Sequence, residues 1–277
     1  MSPVDRVYVG ATTHSSPSGI TAFDLTTGEH GPQLVARAHV SGIVHPTFLA
    51  PHPNGSVLYA VSETVNGEIV ALRVHGDDLA IEQRVPSCGD GPCHLSTDGR
   101  HLVVANYGSG SAAAYTLTTD GRLDELVWTG VHRGDGPHHR QDGPHAHCAV
   151  LDPHRASVHV VDLGIDRVVR YDADHTGFHR ASETTVAPGA GPRHLAFHPS
   201  ERTAFVICEL DNTVVVLDTS GADPVVRSTM STLPDHVPDD VPDDVPKGGA
   251  RRALEVSLHR SYNSRFVSAL HAIDPCR

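Results

Sequence analysis

Four times along the chain one grammar returns. The strings HPTFLAPHPNGSVLYAVSE, GPCHLSTDGRHLVVANY, GPHAHCAVLDPHRASVHVVDL and GPRHLAFHPSERTAFVICEL each set out a proline turn, a short apolar strand, a polar turn and a strong β-branched strand. The anchoring prolines Pro46, Pro92, Pro144 and Pro192 are spaced 46, 52 and 48 residues apart. After most of the strong strands a polar turn leads into a second one, as in GEIVALRV, GSAAAYTL, DRVVRYDA and NTVVVLD. Helical periodicity is hard to find before residue 218, so the repeating unit is a small antiparallel sheet.

A repeat of this length, made of about four short strands, is the pattern of a β-propeller blade. Each small sheet has two apolar faces that only neighbouring sheets can cover, and a ring of blades covers them all. The fold expected is therefore all-β, a β-propeller. The segment VYVGATTHSSPSGITAFDL supplies the outer strands of one further unit, which makes about five clear blades within residues 1–218. Residues 219–247 contain LPDHVPDDVPDDVPKGG, whose prolines do not suit a central strand and whose like charges repel, so a flexible loop is expected there. Residues 248–277 read as the remnant of the closing blade or blades.

Lysine plus arginine number 21 and aspartate plus glutamate 33, a formal charge of −12. That balance repels phosphate backbones and anionic lipid, and it argues against nucleic acid and membrane surfaces as partners. The N-terminus MSPVDRVYVG has no basic region followed by an apolar run, and no window approaches the roughly 20 apolar residues of a membrane span, so a cytoplasmic location is expected. Five cysteines without a C-x-x-C pair suggest reduced, mostly structural thiols. HHRQDGPHAHC is rich in zinc-ligand residue types, but adjacent histidines on a strand point to opposite faces and the paired ligand spacings are absent. No metal and no cofactor are expected.

The strings VYVGATT, GITAFDL, NYGSGSAAAY, RQDGPHAH, DLGIDRVVRYD, GPRHLAFHP and CELDNTVVVLD, taken together and in this order, resemble the bacterial seven-bladed propeller lactonases. That family includes cycloisomerase 2-type 6-phosphogluconolactonases and fungal carboxy-muconate lactonizing enzymes. The resemblance covers residues 7 to 218 and implies a seven-bladed ring with chemistry on a lactone. YNSRFVSALHAID looks like a shortened form of the family's ending, and about one blade of chain is lacking at about 40–50 residues per blade. The resemblance implies a catalytic set of His145, Arg193 and Glu209, with Arg265 as the counterpart of a further family arginine. It calls for no metal.

In a propeller, the turns leading into the innermost strands ring one mouth of the central channel, and His94, His145, His147, Arg193 and His194 occupy such positions. Lactone hydrolysis needs an activated water and charge stabilisation for a tetrahedral oxyanion. His145 or Glu209 could be the base, while the planar fork of Arg193 suits a phosphate or carboxylate. Arg140, Gln141, His147 and His194 are the expected substrate-binding residues. Each has a plainer alternative: the histidines as turn caps, Arg193 as a bridge to a neighbouring blade, Arg140 and Gln141 as struts of the long connection. Glu209 follows the apolar run AFVIC, where a carboxylate needs a partner. Asn106 and Asp162 read as turn chemistry.

The expected function is hydrolysis of 6-phospho-glucono-1,5-lactone to 6-phosphogluconate in the pentose phosphate pathway, with a small anionic lactone as partner. Three alternatives stay open. They are a non-catalytic propeller binding a small anion or a protein, a muconolactone-type cycloisomerase, and a decayed gene product without stable function.

Overall fold

A computed structural model of the chain describes residues 5–12, 19–28, 31–175, 177–233, 255–261 and 264–271. Strands β1 (Asp5–Ala11), β2 (Gly19–Gly28) and β3 (Gly31–Val40) begin the first sheet. The second is β4 (Leu49–Pro51), β5 (Val57–Ser62), β6 (Glu68–His75) and β7 (Asp78–Pro86). The third is β8 (Pro92–Thr97), β9 (His101–Asn106), β10 (Ser111–Leu117) and β11 (Leu123–Val131). The fourth is β12 (Ala146–Leu151), β13 (Ser157–Asp162), β14 (Arg167–Asp174) and β15 (Gly177–Thr185). The fifth is β16 (Pro192–Phe197), β17 (Thr203–Cys208), β18 (Thr213–Asp218) and β19 (Val225–Ser231). Sheets two to five are four-stranded antiparallel meanders.

The hairpin of β20 (Glu255–Ser261) and β21 (Ser264–His271) joins the first sheet, with β21 running parallel to β1 through the pairs Arg6 to Phe266, Val7 to Val267 and Tyr8 to Ser268. The fifth sheet corrects one boundary. Within residues 219–247, expected to form a loop, Val225–Ser231 is the outer strand of this sheet, pairing with β18 from Asp218 opposite Val225 to Thr213 opposite Ser231. The Val-Pro-Asp-Asp repeat and the Arg265 side chain lie outside the described residues. No helix among the described residues is long and apolar enough to cross a membrane.

The hydrophobic core lies between sheets, in four successive layers. Tyr8, Ile20 and Ala22 meet Leu49, Leu58 and Leu72; Tyr59, Val61 and Ile69 meet Leu95, Leu102 and Val104. Val103, Ala105 and Ala112 meet Ala146, Val158 and Val160, and Val161 and Val168 meet Leu195, Ala204 and Val206. Alternation along each strand sends successive side chains to opposite faces, so one strand serves two layers. A large apolar side chain buried in this way contributes about 1.5–3 kcal/mol, and that is what holds each blade against the next.

Candidate active site

Matching hydrogen bonds place one group of residues at the same end of four sheets. The first residue beyond each second strand donates its backbone N–H across the turn: Glu63 to His45 O (3.1 Å), Tyr107 to Gly91 O (2.8 Å), Leu163 to His145 O (2.9 Å) and Glu209 to Gly191 O (2.8 Å). In the third, fourth and fifth sheets the innermost strand begins directly after this acceptor and is bulged at its second residue, namely Cys93, His147 and Arg193. A bulge redirects its side chain out of the ladder. The shared register puts His147 on Arg193 and Ala146 on Pro92 and Pro192. Pro144, aligned with those prolines by sequence, stands two residues too early, because the fourth unit carries an extra pair of residues ahead of its strand.

Glu209 joins two arginines. Its Oε1 pairs with Arg140 Nη1 at 2.6 Å and its Oε2 with Arg193 Nε at 3.0 Å. All three side chains are largely buried, with 16% exposure for Glu209, 30% for Arg140 and 15% for Arg193. The carboxylate of Glu209 faces two guanidiniums where water is scarce and charges act most strongly. The partner foreseen for Glu209 is thus a pair of arginines, and Arg140 comes from the long connection before the fourth sheet.

Tyr107 extends the group. Its hydroxyl bonds to Arg140, and its pKa is raised by burial against the lowering effect of that arginine. The His145 ring stacks on the Tyr107 ring, with centroids 4.4 Å apart and planes 11° apart. His145 Nδ1 lies 3.1 Å from Tyr107 O. A carbonyl only accepts, so Nδ1 carries the proton there, and in the neutral ring Nε2 keeps the lone pair. Nε2 lies 3.4 Å from the exposed carboxylate of Asp142. His145 N in turn donates to Asp162 Oδ1 at 2.7 Å, and Asp162 Oδ2 pairs with His132 Nδ1 at 2.6 Å. Asp162 is wholly buried and also accepts from Gly164 N, so the turn role read for it accounts for its contacts. Asn106 likewise donates to Ser87 O, in the connection before the third sheet, and to Ser111 Oγ on β10.

His147 and His194 lie deeper, with ring centroids 5.2 Å apart. His194 also meets His94 at 5.3 Å and Phe48 at 6.2 Å, so inner strands of the second, third, fourth and fifth sheets converge on one cluster. Burial, and after it the charge of Arg193, holds the His147 imidazole well below the ordinary histidine value. It is therefore neutral, with Nδ1 3.8 Å from Cys93 Sγ. Burial raises the Cys93 thiol well above its usual value.

Gln141 is engaged within the long connection. It is 1% exposed, its Nε2 donates to Leu163 O and to Asp166 Oδ1, both at 2.7 Å, and its Oε1 accepts from His138 N at 3.0 Å. Its amide fastens the connection that carries Arg140 and is spent on that task. Among the described residues no three His, Cys, Asp or Glu side chains converge as a metal ion would need.

The sequence matches the family model described as Lactonase, 7-bladed beta-propeller, over residues 6–269. It is 34% identical over 239 residues to the 6-phosphogluconolactonase of Bacillus subtilis, which covers 82% of this chain and 67% of that protein. Among solved structures, a putative 6-phosphogluconolactonase from Bacteroides fragilis superposes with a TM-score of 0.74 at 26% identity, covering 83% of this chain and 68% of that one. A periplasmic gluconolactonase from Pseudomonas aeruginosa gives a TM-score of 0.77 at 25% identity over 95% of this chain and 74% of that one. The chain thus spans about two thirds of the length of the Bacillus relative, and it belongs to the seven-bladed β-propeller lactonase family.

Proposed function

We propose that this chain hydrolyses the ring ester of 6-phospho-glucono-1,5-lactone, giving 6-phosphogluconate, with His145, Arg193 and Glu209 as catalytic residues. The observation that carries the reading is the chain of contacts His145, Tyr107, Arg140, Glu209, Arg193, which sets an imidazole beside two guanidiniums. The likeness to the Bacillus 6-phosphogluconolactonase supports the choice of substrate. His145 Nε2 takes a proton from water as the oxygen attacks the lactone carbonyl. The guanidinium of Arg193 or Arg140 stabilises the oxyanion, a donor arrangement of the kind worth about 10²–10³ in rate. The ring C–O bond then breaks, and the His145 imidazolium returns its proton to the leaving alkoxide. Glu209 holds both guanidiniums in place, and His147 and His194 line the floor below them.

A phosphorylated sugar does not cross a bilayer unaided, which supports action in the cytoplasm within the pentose phosphate pathway. The test is acid release from freshly generated 6-phosphogluconolactone at neutral pH by purified full-length protein, against the spontaneous rate. Acceleration lost in Arg193→Ala supports the reading. A cooperatively folded protein without acceleration rejects it.

A further inference from the structure

Asp166 lies buried in the turn between β13 and β14 and joins the segments that carry the two arginines. Its Oδ1 accepts from Gln141 Nε2 at 2.7 Å and from Gly191 N at 2.8 Å, and its Oδ2 accepts from Gly189 N at 2.7 Å. Gln141 directly follows Arg140 on the long connection, and Gly191 stands two residues before Arg193. The carbonyl of Gly191 also takes the N–H of Glu209 at 2.8 Å. One carboxylate is therefore one link away from each of Arg140, Arg193 and Glu209.

The turn itself does not require this carboxylate. The third residue after Glu63, Tyr107, Leu163 and Glu209 has left-handed backbone every time, with φ 51° at Asn66, 57° at Gly110, 54° at Asp166 and 57° at Asn212. Asn, Asp and Gly all adopt this conformation readily, so the backbone accounts for a small turn residue and not for a buried charge. The glycine ahead of the innermost strand of the third sheet is held by backbone alone, Gly91 N donating to Thr64 O at 2.9 Å. Ahead of the fifth sheet the Asp166 carboxylate receives the corresponding bond from Gly191 and adds Gln141 to it. Burying an acid is costly, and amide donors to its oxygens offset that cost.

We propose that Asp166 is a positioning residue for lactone hydrolysis, fixing the spacing of Arg140 and Arg193 on either side of Glu209. The inference rests on the lactonase reading above and adds what holds its two guanidiniums in place. Arg140 comes from a connection outside the strands and Arg193 from a bulge, so the backbone of neither is set by an unbroken ladder. A displacement of about 1 Å in a reacting site costs about 100-fold in rate, so slack between these two segments is felt at the lactone carbonyl. Asp166 acts through Gln141 and Gly191 and not on the substrate itself.

The experiment compares wild type, Asp166→Asn and Asp166→Gly as full-length protein. Both variants place in this turn a residue that other sheets carry there, and asparagine also keeps one acceptor oxygen, which guards against loss of fold. The measurements are kcat and KM on 6-phosphogluconolactone well below the unfolding transition, the urea midpoint, and the Nε–H NMR signals of the arginines. The expected result is a kcat lower by about 10-fold in Asp166→Asn and about 100-fold in Asp166→Gly, with KM changed less. The Arg140 and Arg193 signals shift in both variants, while that of Arg73 on the second sheet stays in place. A lower urea midpoint with kcat unchanged overturns the proposal and leaves Asp166 a purely structural residue. Unmoved Arg140 and Arg193 signals overturn it as well. If wild type accelerates no hydrolysis, the lactonase reading fails by itself, and the NMR signals still decide for or against Asp166.

Discussion

The imidazole of His145 lies flat on the ring of Tyr107, and the same tyrosine offers its carbonyl to Nδ1 and its hydroxyl to Arg140. One residue therefore sets the tautomer of the proposed base and the position of the proposed clamp. Tyr107→Phe keeps the stack and deletes one hydrogen bond, which corresponds to a loss of about 2–10-fold in kcat/KM. Tyr107→Ala also removes the ring contact and lowers kcat/KM by about 100-fold. Steady-state kinetics of the two variants checks this order, and equal effects would separate His145 from Tyr107.

Glu209 bridges Arg140 and Arg193, with one carboxylate oxygen for each. In Glu209→Gln both guanidiniums lose a charged partner while volume is kept. Turnover should fall at least about 10²-fold, the scale on which misplaced oxyanion donors cost activity, and the urea midpoint should fall too, because two part-buried guanidiniums lose their carboxylate. Near-wild-type turnover would remove Glu209 from the mechanism.

The blades were legible because every unit needs the same turn, pleat and apolar alternation, and a period of this kind leaves few other solutions. Register inside the fourth unit was not, since GPHAH offers two histidines that both fit the grammar, and only the bulge at His147 shows which one matches Arg193. Arg193 and Glu209 stood out as charged residues at apolar strand ends. NYGSG reads first as turn chemistry, which hides Tyr107, and sequence does not reveal that the Gln141 amide faces Leu163 and Asp166.

His147 makes acid sensitivity predictable. Its folded value is well below the ordinary one, through burial and the nearby Arg193, while the unfolded chain protonates it near about 6.5. Below that pH the unfolded state binds more protons, so this group's stabilising effect is present above about pH 6.5 and is lost as pH falls, by at most about 1.4 kcal/mol per pH unit. His147→Gln should therefore show a shallower decline in urea midpoint between pH 7.5 and 5 than wild type. Parallel declines would mean that His147 is protonated in the folded protein.

Val161 and Ile207 hold the same place in their strands, one on the second strand of the fourth sheet and the other on that of the fifth. Val161 is fully buried against Leu195, Ala204 and Val206, whereas Ile207 is 46% exposed and Phe205, two residues before it, 38%. The difference arises because the fourth sheet is covered by the fifth while this face of the fifth is open to solvent. Val161→Ala should cost about 2 kcal/mol from lost burial and the space left behind. Ile207→Ala removes more atoms yet should cost under about 0.5 kcal/mol, the range for surface changes. Urea midpoints of the two variants measure the contrast directly. A large cost at Ile207 would mean that its face is covered in solution, by another copy of the chain or by residues outside those described.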